Sequence, residues 1–190
     1  MTLTRRSAWR RASGLALLAC ATLTGAAGCL SPGADVPYVQ TPTDVVTEML
    51  KLAAVKADDV VYDLGSGDGR IVIAAARDFG ARGVGIEIDP GLVAYSRELA
   101  QKAGVGDRVT FRSDDLLETN LSDATVVTLY LSYSMNLRLR PKLLRELRPG
   151  ARIVSHDFDM GVDWLPNQTI QVMWRDRMSN VFLWVVPPRS

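Results

Sequence analysis

From Val36 onward the chain switches repeatedly between two hydrophobic periods. In Thr43–Val55 the apolar residues Val45, Val46, Met49, Leu50 and Ala53 recur at three- and four-residue steps, which predicts a helix with one buried face. Thr43 suits the N-cap, because its hydroxyl can accept from the first free amides. Val60–Leu64 is a short apolar run and predicts a buried strand. Arg70–Phe79 returns to helical spacing, and Gly80 suits the left-handed cap that ends it. The same reading gives a strand at Gly83–Ile88 and a helix from Pro90 to about Ala103. It continues with strands at Val109–Phe111 and Thr125–Leu131 and a helix over Asn136–Leu147. Pro141 predicts a break or a late start in that helix. Ile153–Ser155 is the fifth strand, and Thr169–Trp174 with Val181–Val186 forms a closing hairpin.

Strands alternating with helices imply an α/β domain, a mostly parallel sheet covered by helices on both faces. The two last strands have no helix between them, so the closing strand runs antiparallel. Asp157–Gln168 contains Gly161 and Pro166, and the helix between strands five and six is expected to be short or missing. Trp164, Trp174 and Trp184 are read as core or sheet-covering residues, and Arg138, Arg140, Arg145 and Arg148 as a solvated helix face diluted by Glu146.

Composition changes the picture mainly at the N-terminus. The whole chain carries a formal charge of +1, but residues 1–28 hold Arg5, Arg6, Arg10 and Arg11 and no acid, so the remainder stands at −3. A slightly acidic domain offers no electrostatic footprint for nucleic acid. Thr2–Ser13 is basic, and Gly14–Ala27 is apolar and uncharged but too short for a comfortable membrane span. Ala26-Ala27-Gly28-Cys29 is similar to a bacterial lipobox, with Ala26 where leucine is usual. Leu17-Leu18-Ala19-Cys20 is a second match, and Arg5-Arg6 resembles a twin-arginine signal. The expected organisation is a signal over residues 1–28, a Pro- and Gly-containing tether over 29–37 and one domain over 38–190. The expected location is the cell envelope, with a lipid anchor at Cys29 as the membrane contact. If the segment is an uncleaved anchor or follows a misassigned start, that expectation lapses; without a working signal the domain is cytoplasmic. Both cysteines, Cys20 and Cys29, fall in this leader, which leaves the domain without disulfide, thiol nucleophile or cysteine metal site, and His156 is its one histidine.

The chemistry concentrates in Asp63-Leu64-Gly65-Ser66-Gly67-Asp68-Gly69-Arg70, which follows a strand and opens a helix. Glycines there permit a sharp turn and let a ligand lie on bare backbone, and the helix start presents free amides. A dinucleotide fingerprint would require glycine at position 70, where Arg70 stands. The G-x-G-x-G pattern after an acid suits a cationic nucleoside instead, since Asp63 and Asp68 would repel a pyrophosphate. Glu87 lies 24 residues after Asp63 at the end of the second strand, where a carboxylate can accept both ribose hydroxyls. Asp89 precedes Pro90 and is read first as an N-cap. After strand three, Asp115, or else Asp114, can accept from an adenine amino group.

These motifs resemble class I S-adenosylmethionine-dependent methyltransferases of Rossmann-like fold over Val36–Val186. Pro37-Tyr38-Val39-Gln40-Thr41-Pro42 narrows the resemblance to protein-lysine methyltransferases, the group of the archaeal lysine methyltransferases and the ATP synthase c-subunit enzyme. Gln40 stands where that group often has proline. The resemblance implies S-adenosylmethionine as cofactor and places Tyr38 and Thr41 near it. With Asp63, Gly65, Ser66, Gly67, Asp68, Gly69, Glu87 and Asp115 they form the expected cofactor site. It implies a lysine side chain of a protein as acceptor, with no nucleic acid. The Asn/Asp-Pro-Pro-aromatic motif of base methyltransferases is replaced by Leu129-Tyr130-Leu131-Ser132-Tyr133. Tyr130 is the candidate catalytic residue, able with Tyr133 to line a narrow channel for an amine. His156 is read as structural, and Asp157 or Asp159 as able to orient an ammonium. Envelope-bound ligand sensing without catalysis and small-molecule methylation remain the alternatives.

Overall fold

The computed structural model describes residues 38–189, so the leader, the tether and the lipobox lie outside the described residues. The chain runs α1 (Thr43–Leu52), β1 (Val60–Leu64), α2 (Arg70–Phe79), β2 (Arg82–Glu87), α3 (Pro90–Lys102), β3 (Val109–Ser113), β4 (Val126–Leu129), α4 (Tyr133–Glu146), β5 (Arg152–His156), β6 (Gln168–Trp174) and β7 (Arg177–Val185). The seven strands form one sheet in the order β3-β2-β1-β4-β5-β7-β6, with β7 antiparallel to both its neighbours and every other pairing parallel. This is the doubly wound, Rossmann-like sheet with an antiparallel closing strand that the periodicity implied. The order reverses between β1 and β4, and in open α/β sheets the ligand crevice lies at that switch point, outside the carboxyl ends of the strands.

The core has two parts, one on each face. Val45, Met49 and Leu50 of α1 pack with Val72 and Ala75 of α2 against Val61, Val126 and Val154. The other face is covered by one helix, α4, whose Leu139 and Leu143 meet Leu64, Leu129 and Ile153. Where the remaining helices of a doubly wound fold would lie, loops do the covering. Leu121 from the β3–β4 connection and Met160 from the β5–β6 connection are fully buried, and Trp164 packs on Trp184 with ring centroids 6.2 Å apart. Trp184 is fully buried and its indole N–H donates to the Trp164 carbonyl at 2.8 Å.

Four details differ from the sequence expectations. Pro42, not Thr43, occupies the N-cap of α1, and no side chain caps that helix. β4 is shorter than expected because Tyr130 and Leu131 turn out of the sheet. α4 begins early, at Tyr133, because Ser132 accepts from the Met135 amide, and it continues through Pro141. The fourth concerns the arginines on and just after α4. Arg145 and Arg148 are exposed, but Arg140 reaches across to donate to the Met160 carbonyl at 2.8 Å and to Asp163 at 3.1 Å. The missing helix between β5 and β6 is thus replaced by a loop tied down by side chains.

The strongest of those ties is Asn136. Its buried amide donates to Ser155 Oγ at 3.1 Å, to the Phe158 carbonyl at 2.9 Å and to the Asp159 carbonyl at 3.3 Å. Substituting it takes the amide donor from the Asp159 carbonyl and leaves the Phe158 carbonyl with the Ser155 hydroxyl alone, so Asn136→Ala should lower unfolding stability in urea by about 1–3 kcal/mol. The same variant should retain cofactor binding, because nothing at the glycine loop touches Asn136.

Candidate active site

Strand register brings the candidate residues to one edge. Asp63 in β1 lies opposite Gly85 in β2 and Thr128 in β4; Glu87 ends β2 opposite Ser113; His156 ends β5. Tyr130 follows β4 directly. The loop from Gly65 to Gly69 folds back over this edge. Its first two amides, of Gly65 and Ser66, both donate to the Ile86 carbonyl at 2.8 and 2.9 Å, and the Gly67 amide donates to Glu87 Oε2 at 2.9 Å. Gly65, Gly67 and Gly69 all have positive φ, and a methyl added at Gly67 would overlap the Tyr38 ring. The N-terminal strap therefore lies directly on the glycine loop.

The strap is held by polar contacts that sequence reasoning missed. Gln40 Nε2 donates to the Tyr38 hydroxyl at 2.9 Å and to Asp68 Oδ2 at 3.1 Å. Arg70 donates to the Thr41 carbonyl at 2.9 Å and forms a short ion pair with Asp68. Burial would raise the Asp68 carboxyl, but the hydrogen bonds and charge of Arg70 hold it below the usual range. Asp68 is thereby committed to Arg70 and Gln40, and its contribution to the site is to fasten the strap. Tyr38 has its hydroxyl pushed up, first by burial and in part by Asp68. Thr41 is buried.

Asp63 is the electrostatic centre. Its side chain is buried and receives one hydrogen bond, from the Thr128 hydroxyl at 2.8 Å. Burial, with the Asp68 and Glu87 carboxylates adding to it and Thr128 opposing, pushes its pKa up to about 7. A carboxyl kept from ionising by its surroundings is built to meet a cation. Nearby, the buried Ser66 hydroxyl has no hydrogen-bond partner among the described residues. Glu87 is half-buried; besides Gly67 it accepts the Asp89 amide at 3.0 Å, and each carboxylate oxygen keeps a lone pair for a hydroxyl. Asp89 caps α3 through the Gly91 and Leu92 amides. Asp114 and Asp115 are exposed on the loop after β3, where Asp115 accepts the Leu117 amide at 2.8 Å.

On the acceptor side, the Tyr130 ring lies 4.0 Å from the His156 ring and 6.4 Å from Phe158. His156 is buried, and neither ring nitrogen has a hydrogen-bond partner among the described residues. Its Nε2 stands 3.5 Å from Asp157 Oδ2; burial lowers its pKa despite Asp157, with Arg177 lowering it further, so the ring is neutral and the contact is no ion pair at neutral pH. Asp157, at φ +61°, is taken by Arg177 and the Asn180 amide. Asp159 accepts the Gly161 amide. Both acids are therefore engaged in holding the loop. A groove of about 250 Å³ between α1, α2 and α3 lies on the helical face instead, and its charged groups Arg70, Arg77 and Asp78 are paired among themselves or with Asp68.

The ANTKMT methyltransferase domain matches residues 63–168, more than half of the chain. The chain belongs to this family. A protein-lysine N-methyltransferase of Saccharolobus islandicus is 43% identical over 152 residues, covering 80% of this chain and 94% of the archaeal one. The human lysine N-methyltransferase of the ATP synthase c-subunit is 36% identical over 143 residues, covering 73% of this chain and 60% of the human one. A crystal structure from Salinibacter ruber, described as an RNA methyltransferase in complex with S-adenosyl-L-homocysteine, is 55% identical with a TM-score of 0.76, covering 80% of this chain and 96% of that one. This ANTKMT-family protein is thus an S-adenosylmethionine-dependent methyltransferase. The cradle fits that cofactor. A buried carboxyl awaits a cation, a second carboxylate has room for hydroxyls, an orphaned Ser66 hydroxyl lacks a partner, and glycines clear the backbone.

The close approach of Tyr38 to Gly67 yields a test. Gly67→Ala meets both a positive φ, which costs about 1–2 kcal/mol for a residue with a side chain, and the Tyr38 ring. Thermal unfolding should show at least that loss.

Proposed function

We propose that this protein transfers the methyl group of S-adenosylmethionine to the side-chain amine of lysine in a protein substrate. The observation that carries the reading is the archaeal protein-lysine N-methyltransferase, matched over 94% of its length. The charge of −3 from residue 29 onward supports a protein acceptor over the polyanion named for the Salinibacter protein, since phosphate neutralisation by basic groups dominates nucleic-acid affinity.

When bound, the cofactor supplies a sulfonium methyl open to in-line attack by an amine lone pair. The protein's residues then have separate tasks. Asp63 faces the cationic end, Gly65, Ser66, Gly67 and Gly69 offer bare backbone, Glu87 takes the ribose hydroxyls and Asp115 the adenine amino group. Tyr38 and Thr41 close the site from the strap, with Asp68 holding them through Arg70 and Gln40. Tyr130, half-buried and in tilted contact with neutral His156, lines the amine channel. A lysine amine, with a reference pKa of about 10.4, must arrive neutral; an apolar wall of Tyr130, Phe158 and Tyr133 lowers that value by desolvation. Alignment of amine and donor is the main catalytic contribution, an effect worth up to about 7–11 kcal/mol in favourable systems.

Two outcomes test this reading. Label from S-adenosylmethionine should appear as methyl-lysine in hydrolysed protein, and Tyr130→Phe, which keeps the ring but removes the hydroxyl that orients the amine, should slow transfer while sparing cofactor affinity. Label confined to RNA or to small molecules would refute the lysine assignment. The second concerns pH. Asp63 titrates near 7 in the ligand-free protein, and a cation beside it favours the ionised form, so binding expels a proton below that pH. Cofactor affinity should therefore fall by up to about tenfold per unit as pH drops below about 7 and level off above it. Calorimetry on Asp63→Asn should show weaker binding without that slope.

A further inference from the structure

The large apolar side chains that stay exposed are unevenly distributed. Val39, Ile88, Phe158, Met173 and Met178 lie at or beyond the carboxyl ends of the strands, the edge that carries the glycine loop. Val162 and Leu165 are exposed on the loop that runs back from that edge to the start of β6, Tyr95 on α3, and the opposite end shows Leu144 and Val185. A bound cofactor and an acceptor side chain could cover Tyr38 and Tyr133, but they cannot reach the tip of the β6–β7 hairpin. That tip overhangs the sheet. His156, the last residue of β5, pairs with Val181, whereas β7 begins at Arg177 and β6 continues to Trp174. At about 3.3 Å per residue, the hairpin stands roughly 13 Å above the end of β5.

The tip's composition is that of an interfacial element. Met173 and Met178 pair across the strands and are 61% and 45% exposed. Arg175 holds its guanidinium 4.7 Å from the centre of the Trp174 ring, and Arg177, although bridged to Asp157, keeps a side chain 67% exposed. Asp176 is the acid between them. Apolar side chains beside tryptophan and arginine suit the boundary where acyl chains meet phosphate headgroups. The chain also enters on this side. Tyr38 rests on Gly67, and the nine residues 29–37 before it can extend at most about 30 Å. A lipid anchor at Cys29, as the lipobox-like Ala26–Cys29 suggests, would bring this edge to the lipid and leave the Leu144 end facing away.

We propose that the cofactor edge of this protein lies against a phospholipid bilayer, with the β6–β7 tip in the headgroup layer, so that acceptors are met at the membrane surface. The proposal does not depend on which group accepts the methyl, and its test needs no turnover. The full chain carries Trp9, Trp164, Trp174 and Trp184, and Trp9→Phe removes the leader's own signal. This variant is bound to vesicles of phosphatidylcholine and phosphatidylglycerol, with or without brominated acyl chains, and tryptophan emission is read on the sedimented protein. Brominated chains should quench it, and adding Trp174→Phe should abolish most of that quenching. Met173→Asp with Met178→Asp, away from the cofactor cradle, should at least halve the quenching at unchanged unfolding temperature and cofactor affinity. Vesicle-bound protein whose emission ignores bromine would overturn the proposal, as would quenching that survives Trp174→Phe. Failure to sediment with vesicles, or a Trp174 signal that changes with protein concentration alone, as pairing of two copies would give, would overturn it equally.

Discussion

The structure depends on one close approach of backbone to backbone. At the end of β1 the chain reverses so tightly that two consecutive amides, of Gly65 and Ser66, share the Ile86 carbonyl, and the next amide is taken by Glu87. No side chain fits inside this turn at Gly65, Gly67 or Gly69 without striking Leu131, Tyr38 or Phe111. The same turn sets where α2 begins, where Asp63 is buried and where the strap can lie. Asp63, Glu87 and the strap residues take their positions from that reversal, while Asp115 is set by the loop after β3.

Burying Asp63 beside two other carboxylates is unfavourable, and the surroundings show how it is tolerated. Thr128 supplies one donor, Arg70 neutralises Asp68, and the Gly67 and Asp89 amides satisfy Glu87. What remains uncompensated is Asp63 itself. A cationic ligand relieves that imbalance and a pyrophosphate would worsen it, so the electrostatics select the class of nucleoside before any contact to the base.

The acceptor side is organised differently. It lacks a helix between β5 and β6, and a loop of eleven residues, 157–167, takes its place. Asn136, Arg140 and the Asp157–Arg177 pair fix that loop against α4 and β7, and its buried Met160 fills the space a helix would occupy. Tilted ring contact with a neutral, buried His156 gives Tyr130 a rigid backing. A small domain thus presents a firm wall to its acceptor without an inserted recognition module.

Local signals in the chain determined much of this. The bounds of β1 and α2, the Gly80 cap, the Asp89 cap and the absent helix after β5 follow from short-range periodicity and turn chemistry, which act within a few residues. The glycine loop was legible because only a tight turn under a ligand demands that spacing. Partners far apart in sequence were not legible. Gln40 with Asp68, Asp63 with Thr128, Asn136 with Phe158 and Arg152 with Asp59 join positions 22 to 93 residues apart, and nothing local marks them as pairs. Burial would raise Asp59, yet Thr125, the Lys56 amide and Arg152 hold it low; one strand register had to form before those donors met it. The sequence by itself determined the elements and the cofactor chemistry. Only the tertiary structure decided which charges neutralise one another, because that depends on which strands become neighbours.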